Sequence, residues 1–259
     1  MISLTILKSN YLFSSLLSLI IGGIFGSFAN MLIYRLPKNK NIVFPGSFCP
    51  TCNANLSWKN LIPILSFLIQ KGTCSYCKTP IHKRYFLVEL IYIFLTFLYL
   101  SPASTLFLYH QFYIFSCICI VLFFTDLDHF ILPVYLNCSL IMLGLITNFF
   151  NYTIMLHLIP TLIFISCLVL LRLIFNFIYK KDTFGIGDII LLTGFSINWG
   201  WLIGLSSLYF ASIIGGTFCI FLLATKKKKR LDYIAFGPFL MIGFYLSYFF
   251  NPLILNLLF

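Results

Sequence analysis

Eight apolar runs, each near the length of a bilayer crossing, divide this chain of 259 residues. They cover roughly 11–34, 85–100, 104–125, 133–150, 154–179, 187–203, 204–224 and 233–251. A crossing helix needs about 20 apolar residues, and the first run holds 24 without a charge. That run is too long for a signal-peptide core and lacks a convincing cleavage site, so it is read as retained. The turn between the sixth and seventh runs falls at Asn198-Trp199-Gly200 or at Gly204. Composition agrees: 61% of residues are hydrophobic and 9% are charged, against about 25% charged in a soluble domain. The expected fold is all-α and polytopic, with about eight transmembrane helices.

The net charge of +11 raises nucleic acid as a partner, but its placement argues for lipid. Basic residues cluster at Arg35 to Arg84, at Lys180–Lys181 and at Lys226–Arg230. With eight spans and an outside N-terminus, the loops at 35–84, 126–132, 180–186 and 225–232 share one side. That side carries 15 of the 17 Lys and Arg residues, all but Lys8 and Arg172. The positive-inside rule makes it cytoplasmic, and Lys226–Arg230 there suits anionic lipid. The chain then divides into a first helix (1–34), a cytoplasmic loop module (35–84) and a transmembrane core (85–259).

The loop module reads Cys49-Pro-Thr-Cys52, then 21 residues, then Cys74-Ser-Tyr-Cys77. Two Cys-x-x-Cys knuckles at this spacing predict a structural zinc on four thiolates, with no open position for catalysis. A reducing cytoplasm disfavours disulfides, and a redox role or no metal at all are the alternatives. His82 is superfluous beside four thiols. Cys117, Cys119, Cys138, Cys167 and Cys219 lack ligand spacing and are expected to be buried small hydrophobes. The stretch Leu61–Ile69 is too short to span and is expected to pack at the interface between the knuckles. Gly22, Gly23, Gly26, Ser27 and Ala29 predict a close helix partner for the first span.

Only six residues are acidic. Asp126 and Asp188 stand at the ends of apolar runs, 62 positions apart, and the topology puts both at the cytoplasmic face. Asp188 closes Gly185-Ile186-Gly187-Asp188, whose glycines are expected to let the chain bend sharply toward Asp126. Paired carboxylates suit an aspartyl protease, in which one group is ionised to activate water and the other is protonated to polarise the scissile carbonyl. Helix-end acids meeting water are the structural alternative, and a proton- or ion-coupled transporter using Asp126 and Asp188 is the functional one. Asp128 points about 200° around the helix from Asp126 and is read as tuning the pair. Glu89, one turn into the second span, either snorkels beside Arg84 or lines a substrate or methyl-donor site.

These motifs together resemble the type IV prepilin leader peptidase/N-methyltransferase family, intramembrane aspartyl peptidases of the Gly-x-Gly-Asp type. The resemblance runs over nearly the whole chain. Gly26-Ser27-Phe28-Ala29-Asn30 through Arg35-Leu36-Pro37 is similar to the family's Gly-Ser-Phe-x-Asn-x-x-x-x-Arg-x-Pro. The cysteine loop with Pro63, Ser66 and Gly72 is similar, as is Arg84-Tyr85 with Glu89, although Phe86 replaces the family's proline. Asp126 in Thr-Asp-Leu-Asp-His-Phe-Ile-Leu-Pro133 corresponds to the first catalytic aspartate and Asp188 to the second, and Phe236-Gly237-Pro238 resembles a motif near the last span. Val134 and Ile190 depart from the family, standing where aspartate and lysine are usual. The resemblance implies cleavage of prepilins or pseudopilins after a glycine, on the cytoplasmic side of a bacterial plasma membrane. It also implies methylation of the new N-terminus from S-adenosylmethionine, for which the sequence itself shows no site. Competence pseudopilin, pilus subunit and secretion pseudopilin all remain open as substrates.

Overall fold

The computed structural model describes residues 11–100, 110–180, 184–226 and 234–258. The start of the third apolar run, Lys8, Lys181 and the basic residues 227–230 lie outside the described residues. Every one of the eight apolar segments contains a helix: α1 (Tyr11–Arg35), α3 (Lys83–Leu100), α4 (His110–His129), α5 (Val134–Phe150), α6 (Ile154–Tyr179), α7 (Ile186–Trp199), α8 (Trp201–Ala224) and α9 (Gly237–Leu258). A single short turn of helix, α2 (Leu65–Ile69), lies in the cysteine loop. No strand forms among the described residues.

Among the described residues, four segments are long and apolar enough to cross a membrane: Phe13–Lys38, His110–His129, Ile154–Tyr179 and Trp201–Ala224. Val134–Phe150, Ile186–Trp199 and Gly237–Phe250 are shorter apolar helices, and α3 carries Lys83, Arg84 and Glu89. The turn between α7 and α8 is at Gly200, where φ is +93°. Only glycine takes that conformation without strain. Gly204 instead lies inside α8, its Cα facing Ser196 of α7 so closely that a Cβ would strike the hydroxyl.

The chain packs as two compact units, Met1–Val121 and Leu122–Phe259. In the first, α1 lies against α3. A Cβ on Gly22 would come 2.6 Å from the Ile93 Cα, and one on Gly26 would come 2.7 Å from the Glu89 Cα. The small residues therefore do what the sequence predicts, letting two backbones meet. Asn30 of α1 reinforces the pair by donating to the Tyr85 carbonyl at 2.9 Å.

In the second unit a row of asparagines joins α5 to α7. Asn137 donates to the Gly187 carbonyl at 3.2 Å, Asn198 to the Leu140 carbonyl at 2.9 Å and Asn148 to the Ile197 carbonyl at 2.6 Å. Gly144 and Gly194 allow the approach: a Cβ on Gly194 would stand 3.1 Å from the Leu140 Cβ. Gly243 of α9 likewise meets the backbone of α8 at Ser207 and Ala211. Buried amides in apolar helices need partners, so these bonds fix the register of α5 on α7.

Two expectations fail here. Of the five remaining cysteines only Cys119 is buried, while Cys138 and Cys167 are exposed. They sit on outward helix faces, whose other residues are equally apolar, so a small hydrophobe is not driven inward. In the stretch Leu61–Ile69 only one side packs: the Phe67 ring lies 5.3 Å from that of Phe86, whereas Leu65, Leu68 and Ile69 face outward.

Candidate active site and cysteine module

Asp126 lies in the last turn of α4 and is only 6% exposed. The Gly237 amide, at the start of α9, donates to its Oδ2 at 2.9 Å. A helix N-terminus is a natural seat for a carboxylate because its first amides have no helical acceptor. A Cβ on Gly237 would come 2.6 Å from the same oxygen, so the carboxylate can reach this amide only over a glycine. That is a physical reason for glycine in Phe236-Gly237-Pro238.

Asp188 lies in the first turn of α7 and is half-buried. Its Oδ2 folds back over Gly185, 2.8 Å from where a Cβ would stand. Gly187 faces Leu132, with 3.2 Å between its missing Cβ and the Leu132 Cβ, and Leu132 also lies 3.3 Å from a Cβ built on Gly237. Leu132 is thus wedged between the turn bearing Asp188 and the residue that holds Asp126. The Phe184 and Phe236 rings meet edge-on at 6.0 Å, joining the same two turns at their outer side.

The glycines of this turn work differently from expectation. Gly185 has φ −65° and ψ +135°, and Gly187 is not among the residues with positive φ. They are required by close approach, to Asp188 and Leu132, and not by a left-handed bend. Asp128 is exposed, as its offset from Asp126 predicts. Asn137 and Leu132 were not singled out by sequence reasoning, and Gly237 was noted only within Phe236-Gly237-Pro238. The signals for them were an asparagine in an apolar run and a glycine-proline pair before the last span.

The four knuckle sulfurs all lie within 4.8 Å of one another, with 3.9 Å between Cys49 and Cys77. Thiolates around one zinc at Zn–S of about 2.3 Å stand roughly 3.8 Å apart in a tetrahedron, so the cluster fits that ion. The two knuckles are built alike. The Cys49 amide donates to the Ala54 carbonyl and the Cys74 amide to the Thr79 carbonyl, at 3.0 and 2.9 Å. Each turn closes through a left-handed residue, Asn53 and Lys78. Backbone amides stabilise thiolate at Cys49, chiefly that of Cys52, and pull its pKa down. The Thr79 hydroxyl and amide bring Cys77 to about 6. The Ala54 amide acts in the same direction on Cys52, but desolvation and the crowding thiols of Cys77 and Cys49 outweigh it and hold Cys52 at about 11.

Glu89 belongs to the first unit and serves this module. Its carboxylate accepts the Ile64 amide at 2.7 Å, at the start of α2, where Ile64 takes a positive φ of 60°. Arg35 anchors the other end of the loop. Its guanidinium donates to the carbonyls of Asn41, Ile42, Pro45 and Gly46 at 2.6–3.0 Å.

Comparison with known proteins decides the family. The family model described as bacterial peptidase A24 N-terminal domain matches residues 20–102, and that of the type IV leader peptidase family matches residues 113–220. A prepilin leader peptidase/N-methyltransferase of Legionella pneumophila is 33% identical over 95% of this chain and 93% of its own length. The chain belongs to the type IV leader peptidase family. Proteins with the same name from Pseudomonas aeruginosa and Vibrio cholerae are similar at 29% and 30% identity. They cover 92% and 89% of this chain and 90% and 94% of their own. No solved structure matches the chain significantly.

Proposed function

We propose that this chain is a membrane aspartyl endopeptidase that removes the leader peptide of type IV prepilins or pseudopilins, with Asp126 and Asp188 as its catalytic pair. The observation that carries the assignment is the convergence on Leu132 and Gly237 of the turns that bear the two carboxylates. Two carboxyl groups so placed share one proton at neutral pH. The ionised member takes a proton from water, and the hydroxide attacks the scissile carbonyl carbon. The protonated member meanwhile donates to the carbonyl oxygen. Collapse of the tetrahedral diol returns a proton to the departing amide nitrogen and breaks the C–N bond. Asp128 lies outside this exchange.

The eight helices and the charge distribution support reading the chain as a multi-pass protein of the bacterial plasma membrane with the aspartates facing the cytoplasm. Cys49, Cys52, Cys74 and Cys77 would hold a structural zinc that stabilises the loop fold. The relatives' names add N-methylation, carried here by family likeness alone, with S-adenosylmethionine as donor. Family membership gives the transporter alternative no support.

Co-expression with a candidate prepilin tests this reading. Mass spectrometry should find the substrate shortened by its leader, and a further 14 Da (the mass of CH₂) if methylation follows. A substrate of unchanged mass beside folded, membrane-inserted enzyme would reject it.

A further inference from the structure

The cysteine module carries an exposed apolar surface. Val43, Phe44, Trp58, Leu65, Leu68 and Ile69 are 56–78% exposed. An apolar face of this kind on an otherwise folded module marks an interaction surface. Residues 36–84 around it hold seven basic side chains and no acidic one. Both ends of the segment run directly into apolar helices, α1 ending at Arg35 and α3 beginning at Lys83. A groove of about 330 Å³ joins the two surfaces, with Ile24, Phe28 and Met31 of α1 on one wall and Ile42 and Val43 on the other. Ile24 and Phe28 are themselves 60% and 50% exposed. The apolar strip on the outside of α1 therefore reaches the module across this groove, whose lining also includes Ser27 and Ser47. Arg35 borders the groove, and its guanidinium is engaged by four carbonyls.

We propose that this face of the module docks on the anionic headgroup layer of the bilayer that α1 crosses. Trp58, Phe44 and the leucines reach the acyl boundary, and Lys59 and Lys71 meet lipid phosphates. The pattern is that of an interfacial anchor, apolar on one side and basic beside it. The proposal rests on the reading of α1 as a membrane span. An acidic protein partner is less well matched, because the strip continues onto a helix face that lipid would cover.

The full-length protein, placed in nanodiscs of phosphatidylglycerol or of phosphatidylcholine, tests it. Both lipids carry bromine near the headgroup end of the acyl chain. The Trp58 signal is the difference between wild type and Trp58→Phe. Quenching of that signal is expected in phosphatidylglycerol and should weaken in phosphatidylcholine. Lys59→Gln with Lys71→Gln should lower the docked-to-free ratio roughly fivefold per lysine, from about 1 kcal/mol for each basic residue at an anionic leaflet. Leu68→Asp should remove the quenching, while Trp199 and Trp201 report unchanged fluorescence. An unquenched Trp58 in phosphatidylglycerol would overturn the proposal, as would quenching that Leu68→Asp leaves intact. Burial of Trp58 only after a prepilin is added would also overturn it and assign the surface to peptide. Alkaline carbonate extraction separates the two readings: protein that stays in the membrane with Trp58 unquenched rejects docking alone, and protein that washes out rejects the span as well.

Discussion

At the scale of single residues, the account turns on what each carboxylate touches. Asp126→Asn and Asp188→Asn should each lower cleavage by about 10²–10⁴-fold, the usual contribution of a positioned acid or base, with folded protein still in the membrane. Asp128→Asn should stay close to wild type. Gly237→Ala tests the seat of Asp126. Its new Cβ would stand 2.6 Å from the Asp126 Oδ2, so the carboxylate must move off the amide. Losing a hydrogen bond to a charged group costs about 1.5–3 kcal/mol, and activity per folded molecule should fall about tenfold or more. Initial rates on purified variants check all four. The aspartates were legible because charge is so scarce in this chain that each acid asks for a reason. Gly237 was legible only as part of a motif, because its work is done by an amide and by a missing Cβ, and a sequence displays neither. The glycines before Asp188 show the same limit: their presence could be read, but whether they served a bend or a contact depended on Leu132, 55 residues earlier.

At the scale of elements, the starts of the helices in the second run and in the fourth to eighth runs were legible within a few residues from the apolar pattern, and Gly200 marked the break that periodicity left open. The partners were not legible. Nothing in the sequence says that Asn137, Asn148 and Asn198 bond across one helix pair, since an asparagine's acceptor belongs to another element. Asn148→Leu should lower thermal stability by about 1 kcal/mol, typical of one interhelical hydrogen bond in a membrane protein, leaving the reaction rate at permissive temperature nearly unchanged. Differential scanning of detergent-solubilised protein measures this. The cysteine module was the most legible element, because four thiols at two matched spacings allow few geometries. Purified protein should hold one zinc per chain, and Cys74→Ser should lose it and make residues 47–80 protease-sensitive. Elemental analysis with limited proteolysis decides the point.

For the whole molecule, the proposed orientation follows from the distribution of basic residues. Reporters fused near 60, 182 and 228 should read cytoplasmic, and those near 102, 152 and 257 external. An external reporter near 182 would put the two aspartates on opposite faces. The proposed topology rests on charge counting, whereas the helix lengths by themselves give four segments able to cross among the described residues. The central claim is that Asp126 and Asp188 act as one catalytic pair. Its most direct measurement is the single-turnover cleavage rate of a prepilin by Asp126→Asn, Asp188→Asn and the double variant. The account predicts that the double variant is no slower than either single one, because removing one carboxylate already disables the pair. A double variant slowed by the product of the two single effects, or an Asp126→Asn enzyme cutting near the wild-type rate, would contradict it.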